Sequence, residues 1–219
     1  MLALLLIGLA LAQAPEGLLP LVEQPGIQIS WSEQARAGGA EGDAAALACR
    51  SFAEGLALCF TAPQDDARRM VTLQDLSTWQ VDLAAVEASA MVGVAAGLDP
   101  QRPQVVQVEG DARSYLLSAE GDGLDQAGLF EPSTLQARFV GQAFAVGVPA
   151  RGVLIAFPLG DRELETIVAV GIRRLWETVE EPITPKVYTW NSEAWVVWGQ
   201  ASPGGVSKPP SDPIVRPLD

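Results

Sequence analysis

Phe144–Val179 reads FAVGVPARGVLIAFPLGDRELETIVAVGIRRLWETV, and the fold turns on how this stretch is read. Phe144–Val148 and Val153–Phe157 are dense in β-branched and aromatic residues, which suit a pleated, buried surface. Pro149-Ala150-Arg151-Gly152 between them can reverse the chain, so the two segments predict an antiparallel hairpin. Asp161 then stands where a helix N-cap belongs, with Glu163 and Glu165 in the first turn, where the helix dipole favours acids. The 3.6-residue period predicts that Leu164, Ile167, Val168, Gly171, Leu175 and Trp176 face inward, and that Arg162, Glu165, Thr166, Arg173 and Glu177 face water.

Working outward, Lys186–Trp198 (KVYTWNSEAWVVW) predicts strand, Asn-Ser turn, strand. Tyr188 and Trp190 share one face of it, whereas Trp195 and Trp198 point to opposite faces. Upstream, Asp82 caps a helix whose stripe is Leu83, Val86, Ala90 and Val94, with Gly97 as its left-handed terminator and Asp99-Pro100 and Pro103 beyond. Val105–Val108 and Tyr115–Leu117 flank a Glu-Gly-Asp turn as a hairpin, and Phe130–Phe139 is a short helix with Pro132 in its first turn. Leu56–Ala62 and Met70–Leu73 read as strands, Gly26–Ser32 as a short strand carrying Trp31, and the alanine-rich Ala40–Gly55 as a helix. Together these elements predict an α+β fold: a curved, mainly antiparallel sheet with three or four helices packed on one face. A parallel βαβ arrangement around the Asp161 helix is the second reading.

The remaining segments divide the chain. Residues 1–14, MLALLLIGLALAQA, hold an apolar run too short to span a bilayer and suited to a signal peptide, with cleavage after Ala12 or Ala14. No Lys or Arg precedes that run, which leaves open an upstream start or an uncleaved anchor. Residues 15–25 read as a linker, 26–199 as a single α+β domain, and 200–219, with Pro203, Pro209, Pro210, Pro213 and Pro217, as a disordered tail. The expected location is therefore periplasmic or extracellular.

Charge and composition narrow the chemistry. With 14 basic and 27 acidic residues the net charge is −13, which repels phosphate backbones and argues against nucleic acid as a partner. The chain has no histidine, so Ser-His-Asp and Cys-His catalysis and His-ligated zinc are excluded. What remains for an enzyme is carboxylate pairs, Lys or Tyr acid–base chemistry, or oxygen-ligated Ca²⁺ or Mg²⁺; for a carboxylate-dependent hydrolase Asp111, Glu120 and Asp122 are the candidates. Glu120–Asp125 fails as an EF-hand loop because its fifth and sixth positions are Leu124 and Asp125. Nothing in the chain calls for a cofactor. Cys49 and Cys59 form either a disulfide, consistent with export, or two small buried apolar residues. In one continuous helix they would lie roughly 15 Å apart along the axis, so a bridge requires the helix to end near Gly55 and a strand to return.

Three short runs carry a family resemblance: Val71-Thr72-Leu73-Gln74-Asp75-Leu76, the valine-rich strand ending in Pro149-Ala150-Arg151, and Pro185-Lys186-Val187-Tyr188. From about residue 44 to residue 190 the chain resembles the uncharacterised YtpQ-like family of bacterial proteins. Members usually follow Pro-x-Arg with Asp, where this chain has Gly152. The family brings no established activity with it. The function expected is a non-enzymatic domain that binds a protein or peptide through a surface at Arg151, Tyr188 and Trp190. A carboxylate-dependent hydrolase and a structural element of a cell-envelope assembly are the alternatives.

Overall fold

The computed structural model describes residues 14–65, 67–97, 103–122 and 124–207. In chain order the elements are β1 (Leu19–Glu23), α1 (Ile27–Ala37), a 3₁₀ turn at Gly42–Ala45, β2 (Arg50–Ala53), β3 (Leu56–Gln64) and β4 (Ala67–Met70). Then come α2 (Leu73–Trp79), α3 (Leu83–Gly97), β5 (Gln104–Gln107), β6 (Ser114–Ser118), α4 (Ala127–Phe130) and α5 (Pro132–Phe139). The chain closes with β7 (Phe144–Gly147), β8 (Leu154–Pro158), α6 (Arg162–Thr178), β9 (Lys186–Trp190), β10 (Trp195–Ser202) and β11 (Gly205–Ser207). The class is α+β, with the strands in two antiparallel sheets.

The larger sheet has seven strands in the order β11-β10-β9-β7-β8-β6-β5, with the β7–β8 hairpin at its centre. Its register pairs Val146 with Ala156 in β8 and with Tyr188 in β9. β8 and β9 each lie antiparallel against β7, so the two strands joined by α6 run parallel to each other with β7 between them; they are not paired, and every hydrogen-bonded pair in the sheet is antiparallel. The smaller sheet is built on β3. β1 covers one of its edges, while β2 and β4 share the other in succession.

Three apolar clusters hold these layers together. α6 lies on one face of the large sheet, where Leu164, Val168, Ala169 and Ile172 meet Ala145, Ile155, Phe157 and Val187. On the opposite face Val146, Ala156, Tyr188 and Trp195 meet Leu129 and Leu135 from α4 and α5, and Val22 and Leu56 from the small sheet. The third cluster joins Leu58, Phe60 and Ala62 of β3 to Val86 and Ala90 of α3 and Leu76 of α2. Burial of this apolar surface, at about 25 cal/mol per Å², is the main force joining the sheets.

The local signals at the helix starts are realised. Asp161 Oδ1 accepts from the N–H groups of Glu163 and Leu164 at 3.0 and 3.1 Å. Asp82 caps α3 through Ala85 N–H at 2.8 Å, and Val86, Ala90 and Val94 are its buried stripe. Thr72 and Asp75 form a reciprocal capping box at α2. The inward face of α6 is rotated from the predicted one: Ala169 and Ile172 are buried, whereas Ile167 is exposed at its surface. Gly97 is the last helical residue of α3, not a left-handed terminator.

Several boundaries differ from the sequence reading, among them Met70–Leu73, where the strand is Ala67–Met70 and Leu73 opens α2 behind its Thr72 cap. Residues 15–25 are not a linker, since Leu19–Glu23 pair residue for residue with Thr61–Ala57 and Leu18 and Val22 are fully buried. Pro20 is tolerated because β1 is an edge strand and needs no N–H there. Gly26–Ser32 begins a helix; the Ile27, Ile29, Trp31 alternation is too short to outweigh the helix formers Gln34–Ala37 that follow. Ala40–Gly55 is not a helix: Ala48 N–H donates to Val71 O and Leu73 N–H to Ala46 O, both at 2.9 Å, so tertiary pairing overrides alanine propensity. The strands do not stop at residue 199. β10 runs to Ser202 and β11 returns beside it, with Ala201 buried. The signal-peptide reading of residues 1–14 falls outside the described residues except at Ala14, which rests against the third cluster, and residues 208–219 of the expected tail also lie outside them.

Candidate functional site

Arg151 sits in the turn of the central hairpin. Its neighbour Gly152 has φ +66°, a left-handed conformation natural to glycine, and a Cβ there would stand 3.5 Å from Asp125 Oδ2. Arg151 Nε donates to Glu23 Oε1 at 2.6 Å, Nη1 donates to Glu181 Oε1 at 2.8 Å, and its backbone N–H donates to Glu181 O at 3.2 Å. The side chain therefore ties β1 to the segment after α6. Glu23 is 3% exposed, and burial raises its carboxyl above the ordinary range, opposed by Arg151 and reinforced by the charge of Glu181.

This turn forms one wall of an open groove of about 730 Å³. Leu21 and Met70 line its apolar side, and Asp122, Glu181 and Arg68 its polar side. Arg68 donates only to neutral oxygens: Thr61 Oγ1 at 2.9 Å, Thr61 O at 2.9 Å and Gly17 O at 2.6 Å. Burial lowers its pKa with no carboxylate to oppose it, and no described carboxylate forms an ion pair with it. Beside the turn the groove is also lined by a loop closed by Asp125, itself 2% exposed, whose carboxylate accepts from Ser118 Oγ, Glu120 N–H and Gly121 N–H at 3.0, 2.6 and 2.8 Å. Gln126 follows, taking the outward Val22 N–H on Oε1 at 2.9 Å and so closing part of the free edge of β1.

The three residues expected to share a surface are separated. Tyr188 is fully buried in the core, its hydroxyl donating to Glu54 O at 2.9 Å and its pKa pushed up by burial. It cannot meet a partner. Trp190 is half-buried and lines a different hollow of about 300 Å³ with Phe52, Met91, Phe130 and Trp195. Trp195 and Trp198 do face opposite sides, one in each of the clusters flanking the large sheet.

The acidic candidates do not converge either. Asp111 is ion-paired with Arg113, whose bonds hold its carboxyl below the usual range, and Arg113 also reaches Glu163 at 2.7 Å at the start of α6. Asp122 Oδ1 accepts from Leu124 N–H at 2.9 Å and lines the Arg68 groove, which Asp111 and Glu120 do not. Among the described residues no three Cys, Asp or Glu side chains are grouped to hold a metal ion.

Cys49 and Cys59 are joined as a disulfide, with Cα atoms 4.2 Å apart. The bridge becomes possible because the chain turns at Glu54-Gly55 and β3 returns along β2. Sequence reasoning missed Arg68 and Glu23, since neither lies in a patterned segment and each acquires its role from a residue far along the chain. Among the described residues no helix is long and apolar enough to cross a membrane. Compared with known proteins, the chain matches no family model, no curated protein and no solved structure.

Proposed function

We propose that this chain is a non-enzymatic domain, exported and of the YtpQ-like type, that receives a protein or peptide segment in the groove between Arg68 and Arg151. The observation that carries this reading is Arg68: a guanidinium held in place by neutral oxygens in the lining of a groove, without a described carboxylate partner, in a chain of net charge −13. An acidic side chain or terminal carboxylate of a partner would supply the missing counter-charge through a charge-assisted contact to Nη1, the nitrogen that Thr61 and Gly17 leave uncommitted. Leu21 and Met70 offer apolar contact beside it. Arg151 borders the groove as a wall, its own charge engaged by Glu23 and Glu181. The Cys49–Cys59 disulfide supports a place outside the reducing cytoplasm.

Display of random twelve-residue peptides against the immobilised chain tests the reading. Enriched peptides should carry an acidic residue beside apolar ones, and should lose binding at least tenfold to Arg68→Gln while keeping it for Trp190→Phe. Absence of saturable binders, or binders indifferent to Arg68→Gln, would refute it.

A further inference from the structure

The β9–β10 hairpin sets two indole rings side by side, lining a hollow separate from the Arg68 groove. Trp190 and Trp195 are directly opposite each other across the hairpin, so both rings share one face of the sheet, 5.4 Å apart and tilted by 58°. Trp195 is fixed by its Nε1–H, donated to Leu129 O at 2.8 Å. Phe52 of β2 and Phe130 at the end of α4 bring a second pair of rings, 5.5 Å apart, to the same hollow of about 300 Å³. That volume is at the small end for a ligand pocket, so its occupant has few atoms.

Two observations give that occupant a positive charge. Aromatic faces attract cations, and elsewhere in this chain they receive them: Arg69 lies over Trp79 at 5.9 Å and Arg173 over Trp176 at 4.7 Å. Among the described residues no Arg or Lys lies over any of the four rings of the hollow. Arg50, which shares the lining, is engaged elsewhere: Nε donates to Glu87 Oε2 and Nη1 to Ser51 O, both at 2.8 Å, and Nη2 also pairs with Glu87. The second observation is Glu193. Asn191 Oδ1 accepts from the N–H groups of Glu193 and Ala194 at 3.0 and 2.8 Å, which holds the turn that brings Glu193 into the lining. Its carboxylate has no basic partner among the described residues.

The walls select the kind of cation. A primary ammonium or a guanidinium carries N–H groups that need acceptors once taken out of water, and aromatic and aliphatic walls do not supply them. A quaternary ammonium has no N–H and spreads its charge over its methyl groups, so the ring faces attract it without leaving a donor unpaired. A phosphate joined to it would be repelled by the Glu193 carboxylate, which favours the free cation over a phosphorylated head group. We propose that the hollow walled by Trp190, Trp195, Phe52 and Phe130 is a site for a small soluble quaternary ammonium ion of the choline type, with Glu193 as its counter-charge.

Calorimetric titration of the full chain with choline chloride, at constant total chloride, tests the proposal. Choline should bind saturably at a single site, and its methyl proton resonance should move upfield on binding, as it does over ring faces. The neutral isostere 3,3-dimethylbutanol, with carbon in place of the charged nitrogen, should bind at least tenfold more weakly. Phosphocholine should also bind more weakly than choline. Glu193→Gln, at an exposed turn position outside the core, should weaken choline several-fold, and Trp190→Leu at least tenfold, with the melting temperature of each variant measured alongside. Arg68→Gln should leave choline binding unchanged, which separates this site from the peptide groove. Absence of saturable choline binding would overturn the proposal. So would a neutral isostere that binds as tightly as choline, a Glu193→Gln variant that binds choline as the wild type does, or phosphocholine binding tighter than choline.

Discussion

Removing the Arg151 side chain should cost far more than losing a surface ion pair. In Arg151→Ala, Glu23 is left with its carboxylate 4% exposed and without its cation, across the junction of the two sheets. Breaking a buried pair in this way costs about 3–5 kcal/mol, because a buried charge is left uncompensated. Arg151 itself is 34% exposed and partly screened, which places the expectation near the lower limit, about 3 kcal/mol. With a urea m-value of about 2 kcal/mol/M, the midpoint should fall by roughly 1.5 M. The pH dependence has a definite sign. The Glu23 carboxyl is raised by burial, so the folded state binds the proton more tightly than the unfolded state, and the contribution present at acid pH is lost as pH rises through the folded value. Arg151 opposes that rise, so its removal should move the window upward, and the deficit at pH 7 should exceed the deficit at pH 5. Replacing both partners, as Glu23→Leu with Arg151→Met, should recover most of the loss, since no charge remains buried. Urea titrations of the three variants at both pH values provide the measurement. A deficit below about 1 kcal/mol at pH 7, or one that is unchanged at pH 5, would refute the role assigned to the pair.

Other expectations follow from particular contacts. Gly147→Ala would place a Cβ 2.5 Å from Ile172 Cδ1 and should destabilise by about 1–3 kcal/mol, with partial rescue by Ile172→Val, which deletes that atom; a thermal-melt double-mutant cycle reads the coupling. Gly152→Asp should lower the melting temperature more than Gly152→Asn, because both meet the +66° backbone angle but only Asp adds a like charge beside Asp125. Cys49→Ala with Cys59→Ala, which opens the loop between residues ten apart in sequence, should cost about 3 kcal/mol by urea titration under non-reducing conditions.

What was legible in the sequence is what is local. The β7–β8 hairpin, the Asp161 and Asp82 caps, the α3 stripe and the β9–β10 hairpin depend on residues within one or two turns of each other, where period and capping chemistry act directly. Arg151 was singled out from its turn, and it does border the main groove. Its partner was not legible: Glu23 lies 128 residues away, in a segment that reads as a linker because a five-residue edge strand has too few residues to show a period. The alanine run at residues 40–55 failed for the converse reason. Its helical preference is a few tenths of a kcal/mol per residue, and pairing with Val71–Leu73 together with burial of Ala45 and Ala48 outweighs it.

By itself, then, the sequence determined the antiparallel α+β character, the helix starts and the absence of histidine chemistry, all of which follow from spacing and composition. The tertiary structure alone decided that Tyr188 is core rather than surface, that Arg151 and Trp190 serve different cavities, and that Arg68 stands in a groove without a described counter-charge. Those outcomes depend on which segments meet across the two sheets. Such meetings are set by the summed burial of many side chains, and no single stretch of sequence displays that sum.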